Sequence, residues 1–397
     1  MATENIIIIG GGISGITSAL TLQLLGFDTQ IYTRQRFDLQ NKNKSPEFAS
    51  LFPSASVIPH SVYHDQLESI FKNSQSVFYE LRKRTFPGLT IHKHFEIFEF
   101  EPDQPEHIGW MMNGQSIDDI DSRSIPRKNT KRQLWGWVFD CIFADWPIYF
   151  PALISLYKEC GGKILTKKLQ HNDIAGLPAS IIINCSGAGS PFLFDDPAER
   201  QLFLRGHLIQ KLQAPLITNT ANEIISYNYT PDASIYSDPE GNPCDVYCYP
   251  RKDGWYIGGS RQAGRLDENK NWKGLEWKYD SYKIDGISIP RPVVDLNNEI
   301  LEQTFGLGLK LSDSLQSMLG YRYVRTYKNG LRLEEDTVSG RKIIHNYGHG
   351  GAGVALSWGC ALKIAEILKS STDLIAHLTE IFDSNAPFQK IIKDCNT

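Results

Sequence analysis

No stretch of this 397-residue sequence approaches the roughly 20 consecutive apolar residues that a helix needs to cross a bilayer. The first apolar run, Ile6–Ile9, lacks a basic flank and passes straight into glycines, so it does not read as a secretory signal. No run of lysine or arginine is long enough to bind a membrane surface. With a formal charge of −4, nothing points to nucleic acid or to a membrane surface as a partner. Cysteine is scarce: seven residues, an odd number, with no CxxC. Cys244 and Cys248 are close in sequence, but no histidine or cysteine cluster completes a set around them, so no metal is expected. Free thiols in a reducing cytoplasm are expected instead. The ending Cys395-Asn396-Thr397 carries no peroxisomal address. Internal repeats and low-complexity segments are absent.

What is present is enough apolar material, 41% of the chain, for a large core. The length exceeds that of one ordinary domain, and two are expected. Asn5–Ile9 reads as a strand, Gly10-Gly11-Gly12 as a tight turn, and Ile13–Leu25 as a helix ended by Gly26. Asp28–Thr33 is a second strand. Gly10-x-Gly12-x-x-Gly15 between a strand and a helix is a dinucleotide fingerprint. The first glycine permits the turn, the second lets backbone approach a pyrophosphate, and the third lets helix and strand pack. The helix start, Ile13 and Ser14 included, offers free N–H groups to phosphate. The fingerprint expects an acid at the end of the second strand, to hold a ribose. This chain has Thr33-Arg34-Gln35 there. Arg34 in that place suits a 2′-phosphate, a contact with adenine or ribose, or plain solvation.

Farther along, His64–Arg84 has helical spacing, and Leu89–Phe100 and Leu134–Phe143 read as strands. Pro151 is expected to open a helix that runs to Cys160. Lys163–Leu169 and Ser180–Cys185 return to the apolar style of a parallel sheet. Residues 205–325 read as short strands and loops. The chain closes on a strand–loop–helix unit at 341–369, whose loop holds Gly348, Gly350, Gly351 and Gly353.

Several stretches together resemble one family, the D-amino acid oxidases, which are FAD enzymes. They are IIINCSGAGS (181–190), LRGHLIQ (204–210), VYCYPRKDGWYIGGSRQAG (246–264), GYRYVRTYKNGLRLEED (320–336), and HNYGHGG and SWGCA within 345–361, with FASLF (48–52) adding a weaker match. Order and spacing fit along nearly the whole chain. Residues 55–145 and 215–245 match poorly. The resemblance implies an α/β fold: a discontinuous Rossmann-type FAD-binding domain (1–55, 146–200 and 320–397) and a smaller, mainly antiparallel β (α+β) substrate domain (56–145 and 201–319).

The resemblance also implies roles. The loop at 10–15 grips the FAD pyrophosphate. The loop at 348–353, with His349 in it, lies at the isoalloxazine end, where side chains would collide with ring or substrate. The following helix, expected to start near Gly353 and to include Val354 and Ala355, turns its positive end to the ring. Ala49, Ser50 and Leu51 line the flavin, and Leu169, Ser186 and Gly187 lie at the adenine half. Arg322 pairs with the substrate carboxylate, since guanidinium offers a planar two-pronged partner. The Tyr247 hydroxyl touches the same group, with Tyr249 on the same side of the strand as its rival. The Gly351 carbonyl accepts from the amine. His345 and His349 are packing or flavin contacts, not bases. Cys360 resembles the position in members that hold FAD without a covalent bond, unlike the sarcosine oxidases.

The reaction implied is oxidative deamination of a D-amino acid. Hydride passes from Cα to flavin N5, the imino acid hydrolyses to a keto acid and ammonia, and O2 becomes H2O2. Two other readings stand beside it: a flavin amine oxidase or dehydrogenase acting on glycine, a secondary amine or an unusual amino acid, and an NADP-binding or catalytically silent scaffold supported by Arg34. An acidic substrate would need a second cation, with Arg205, Arg251, His60 and Arg325 as candidates. Partners are thus a small amino acid or amine and O2, and homo-oligomers are compatible with the sequence.

Overall fold

The computed structural model describes residues 5–396 apart from 40–44, 53, 198–199, 268–270, 327–329, 339 and 370–372. Part of the polar segment after the second strand, and the side chains of Cys395–Thr397, lie outside the described set.

Six strands form the first sheet, in the spatial order Arg332–Val338, Arg341–Tyr347, Ile181–Asn184, Asn5–Ile9, Asp28–Thr33, Lys163–Thr166. All neighbours are parallel except the first pair. The isoleucine runs at 6–9 and 181–183 are buried throughout, as a sheet covered on both faces requires. Ile6 and Ile8 face the helices Ile13–Leu24, Trp146–Glu159 and Ser357–Lys369 in the main core. Ile7 and Ile9 face a smaller cluster with Tyr32, Ile174 and Leu177.

Ten strands form the second sheet. Gln201–Leu212 lies between Gln262–Leu266 and Gly254–Gly258 and also pairs with Leu315–Arg325 along its length. Val246–Arg251, Ile224–Thr230, Leu89–Phe98, Trp135–Ala144 and Met112–Ser116 continue it on one side, and Trp272–Gly274 beside Gln262–Leu266 ends it on the other. Its pairs are antiparallel except Leu89–Phe98 with Ile224–Thr230. The helix Arg291–Phe305 sets Val293, Val294, Ile300 and Leu301 into the core behind this sheet. The fold is therefore α/β, a Rossmann-type sheet drawn from the start, middle and end of the chain plus a mainly antiparallel substrate domain.

Three local expectations need correction. The middle helix starts at Trp146, not Pro151, because Pro147 takes the first-turn position and Pro151 sits inside. Its start is fixed by the Asp145 carbonyl, which accepts from Ile148 and Tyr149. Arg291–Phe305 is a full helix inside a region read as strands and loops. The helix after the second glycine loop begins at Ser357, after a tight turn in which Leu356 N–H donates to the Ala352 carbonyl, and two further helices, Leu374–Ser384 and Ala386–Asn396, follow the unit read as the chain's close.

Candidate active site

The first glycine loop is shaped by the protein's own backbone. Gly10 has φ +118°, and a Cβ there would overlap the Cys185 carbonyl oxygen. A Cβ on Gly15 would overlap the Gly10 carbonyl oxygen. Gly12 faces Ser50, whose Oγ would lie 3.0 Å from an added Cβ. Ser50 Oγ also accepts from the Ile13 N–H at 3.0 Å. Among the described residues no acceptor serves the N–H groups of Ser14 and Gly15.

The second loop is built differently. Gly348 (φ +89°) and Gly350 (φ +55°) hold the left-handed conformation, and backbone of Gly330 and Ser61 crowds their Cβ positions. Gly351 and Gly353 are not crowded. A Cβ on Gly353 would meet nothing nearer than His349 at 3.8 Å and Ile13 at 3.9 Å. On Gly351 it would stand 3.5 Å from the His60 carbonyl and 3.8 Å from Arg322 Cδ. The N–H groups of Gly353, Val354 and Ala355 have no acceptor among the described residues. The chain's own turn therefore explains Gly348 and Gly350, whereas Gly351 and Gly353 face the cavity.

Both loops open on one cavity of about 770 Å³, part of it solvent. Ile13, Ala49 and Ser50 line it together with Gly350, Gly351, Gly353, Val354 and Arg322. The segment Ala49–Leu51 is pinned there because the Ser50 carbonyl accepts from Trp146 Nε1 at 2.8 Å. The helices that follow the two loops touch: Thr17 Oγ1 donates to the Ser357 carbonyl at 3.2 Å. FAD fits these residues. Two turns offer N–H groups that have no acceptor among the described residues, and glycines leave the cavity wall open where a side chain would fill it.

Arg322 stands on the strand Leu315–Arg325 of the second sheet. Its guanidinium fills the place that a side chain on Gly206 would need, at 2.7 Å. Among the described residues no carboxylate pairs with it. The arginines named as candidate second cations are engaged, Arg205 with Glu276 at 2.9 Å, Arg251 with Asp253 at 3.1 Å and Arg325 with Asp196 at 3.0 Å, and so is the nearby Arg332, with Glu334 at 2.7 Å. Tyr247 lies beside Arg322. Burial pushes its hydroxyl up to about 12, with the guanidinium working against that rise, so it stays protonated at neutral pH. Tyr249 stacks on Tyr247 at 4.6 Å but gives its hydroxyl to Asn228 at 2.6 Å. Asn228 in turn donates to Asp245 at 2.6 Å.

Arg34 forms an ion pair with Glu47 at 2.7 Å. The acid absent from the end of the second strand is thus brought up from 13 residues later, which spacing alone did not reveal. Ser186 donates to Asn184 Oδ1, and Gly187 (φ +54°) continues the turn that abuts Gly10. Leu169 packs on the small cluster around Ile9 and Tyr32, away from the cavity lining. His349 is buried, and burial lowers its pKa to about 4, so its imidazole is neutral. His345 is also buried, lowered to about 4, and 3.0 Å from Asn184. Cys360 is buried within its helix and does not line the cavity.

One cluster escaped the sequence reading. His60, Glu96 and His107 gather beside the second loop. Burial raises the Glu96 pKa, but the two imidazoles more than reverse this and hold it well below the carboxylate range. Burial disfavours a charge on His60, yet Glu96 and then Asp245 outweigh it and raise that pKa.

The family model described as FAD dependent oxidoreductase, DAO, matches residues 5–367. Human D-aspartate oxidase is 23% identical over 385 residues, covering 93% of this chain and 95% of that protein. A D-amino-acid oxidase of Schizosaccharomyces pombe is 25% identical, covering 90% of this chain and 94% of its own. The solved iminodiacetate oxidase of Chelativorans sp. BNC1 shares the fold, with a TM-score of 0.60 at 16% identity over 92% and 96% of the two chains. No described helix is long and apolar enough to cross a membrane. A Rossmann-type sheet, two glycine turns facing one cavity and a family match over nearly the whole chain lead to one conclusion: the chain belongs to the DAO family of FAD dependent oxidoreductases, enzymes that act on amino acids and amines.

Proposed function

We propose that this enzyme oxidises the Cα–N bond of a D-amino acid. The observation that carries the reading is an unpaired guanidinium, Arg322, lining the same cavity as Gly351 and Gly353. A half-buried cation without an anion is a binding site for one, and a carboxylate matches its fork. Arg322 holds the substrate carboxylate. Tyr247, protonated and next to it, donates a further hydrogen bond. The Gly351 carbonyl accepts from the amine. Three contacts on two groups of one carbon hold that carbon in place, the substrate's handedness then sets which remaining bond carries hydrogen, and this positioning is the enzyme's main contribution. His349 stays neutral and serves as wall, not base.

FAD, when bound, takes the hydride from Cα and passes the electrons to O2. Ser14 and Gly15 would hold its pyrophosphate, and Gly353, Val354 and Ala355 the negative edge of the reduced ring. Ala49, Ser50, Leu51, Gly348 and Gly350 complete the ring's surroundings. Ser186, Gly187 and Leu169 belong to the adenine half. Attachment is non-covalent, supported by the burial of Cys360. The labour divides by sheet, the six-stranded one for FAD and the ten-stranded one for substrate. The free cysteines support a reducing, cytoplasmic setting.

A second reading, oxidation of glycine or an N-substituted amino acid, shares the same clamp, because the clamp reads a carboxylate and a nitrogen and not the side chain. The likeness to iminodiacetate oxidase favours keeping it. The NADP reading loses its support, since Arg34 is paired with Glu47. A peroxide-coupled panel of D- and L-amino acids, glycine and N-methyl amines on flavin-loaded protein separates these. Turnover of D-amino acids is expected to exceed all others. Turnover restricted to glycine or N-methyl amines would replace the first reading with the second.

A further inference from the structure

We propose that His60, Glu96 and His107 form a binding site for a divalent metal ion of the zinc class in the wall of the substrate pocket. The three donors come from separate segments. His60 follows the flavin-side loop, Glu96 lies inside the strand Leu89–Phe98, and His107 sits in the short turn Glu106–Trp110. His60 Nε2 is 2.9 Å from Glu96 Oε1, His107 Nε2 is 3.3 Å from the same oxygen, and all three donor atoms lie within 4.8 Å of one another. Tetrahedral zinc with bonds of about 2.0–2.1 Å separates its ligands by roughly 3.3–3.4 Å. The Glu96–His107 edge already has that length, the Glu96–His60 edge needs to open by a few tenths of an ångström, and the His60–His107 edge, within 4.8 Å, has to settle to the same value.

Hydrogen bonding accounts for the cluster only in part. His107 Nε2 is placed to bond Glu96 Oε1. His60 Nε2 is buried and close to that oxygen, but its alignment makes no hydrogen bond. Two imidazoles aim the same ring nitrogen at one carboxylate oxygen, which is the convergence a shared ion produces. Glu96 is 3% exposed at its side chain, and no lysine or arginine pairs with it among the described residues. A buried carboxylate needs a cation beside it. Two histidines and one carboxylate are a known zinc donor set that leaves a fourth position open.

The register shows where the cluster lies. Glu96 pairs with Asn228, and Asn228 with Tyr247, so the three stand in one row across neighbouring strands. At about 4.8 Å per strand, Glu96 lies roughly 10 Å from Tyr247. The His60 carbonyl abuts the Gly351 position, and His60 is the most exposed of the three ligands, at 40%. The cluster therefore lies next to the pocket, on its Gly351 side. The site stands or falls independently of the proposed substrate, because its test reads metal and not turnover.

The test uses the full-length, flavin-loaded protein, stripped with chelator, exposed to Zn2+ and desalted. One zinc ion per chain is expected to remain, with Mg2+ failing to compete. Glu96→Gln and His107→Asn should each weaken zinc binding by more than the roughly 10–100-fold that loss of an outer-shell partner costs. Co2+ added to the wild-type protein should give absorption to the red of the flavin band, typical of four- or five-coordinate cobalt. That reading needs no variant. Failure to retain zinc, absence of the cobalt bands, or full zinc retention by well-folded Glu96→Gln protein would each overturn the proposal, leaving a proton shared between His60 and Glu96 as the charge balance.

Discussion

The two glycine turns look alike in sequence and differ in what demands glycine. At Gly10 and Gly15 the demand comes from the protein itself, since carbonyl oxygens of Cys185 and Gly10 occupy the space a side chain needs. In the second turn Gly348 and Gly350 behave the same way, while Gly351 and Gly353 face open cavity. A glycine enforced by backbone belongs to folding. A glycine that faces empty space belongs to whatever fills that space. The same residue type thus reports on stability in one place and on ligand binding in another.

Substitution separates the two kinds. Gly15→Ala should cause the largest loss, about 3 kcal/mol or more of stability, because the new methyl meets backbone that cannot yield. Urea unfolding of the flavin-loaded protein measures it, and a wild-type midpoint would break the comparison. Gly350→Ala should also destabilise, through both its positive φ and the Ser61 carbonyl. Gly353→Val should leave the urea midpoint of the flavin-free protein nearly unchanged and weaken FAD binding by roughly 10–100-fold, about 1.4–2.8 kcal/mol. Flavin fluorescence titration reads that loss. A smaller effect sharpens the comparison within the pocket. Tyr247→Phe should lower kcat/KM for carboxylate substrates by about 1 kcal/mol, roughly fivefold, whereas Tyr249→Phe should act on stability through Asn228.

Acid should weaken the fold gradually. His345 and His349 have folded pKa values near 4 against 6.5 unfolded. Below pH 6.5 the unfolded chain takes up protons that the folded chain refuses, so stability falls as pH drops toward 4. His60, raised by Glu96, works in the opposite sense, but His92, His94 and His207 side with the lowered group. Thermal midpoints at pH 7, 5.5 and 4.5 should fall in that order.

Much of the FAD side was legible in the sequence because its signals are local. A strand, three glycines and a helix with apolar spacing stand within 20 residues, and Ile6–Ile9 announces a buried parallel strand. The resemblance then supplied Arg322, Tyr247 and Gly351, which no spacing could single out. What escaped were pairings across distance. Glu47 meets Arg34 through a folded-back segment, and Asp196 occupies Arg325 from 129 residues away. His60, Glu96 and His107 converge only once a loop, a strand and a turn are assembled. The helix at Trp146 was misplaced because two prolines offered two starts, and the Asp145 carbonyl decided between them.

The central claim is that one cavity holds FAD between two turns, with Arg322 gripping an acid group beside it. The most direct measurement compares kcat/KM for a D-amino acid and for its carboxamide, in flavin-loaded wild-type and Arg322→Leu protein. Wild type should favour the carboxylate, and the variant should keep its flavin while losing about 2–5 kcal/mol with the carboxylate alone, roughly 30-fold to several-thousand-fold. An unchanged preference in the variant, with FAD bound and the fold intact, would contradict the account.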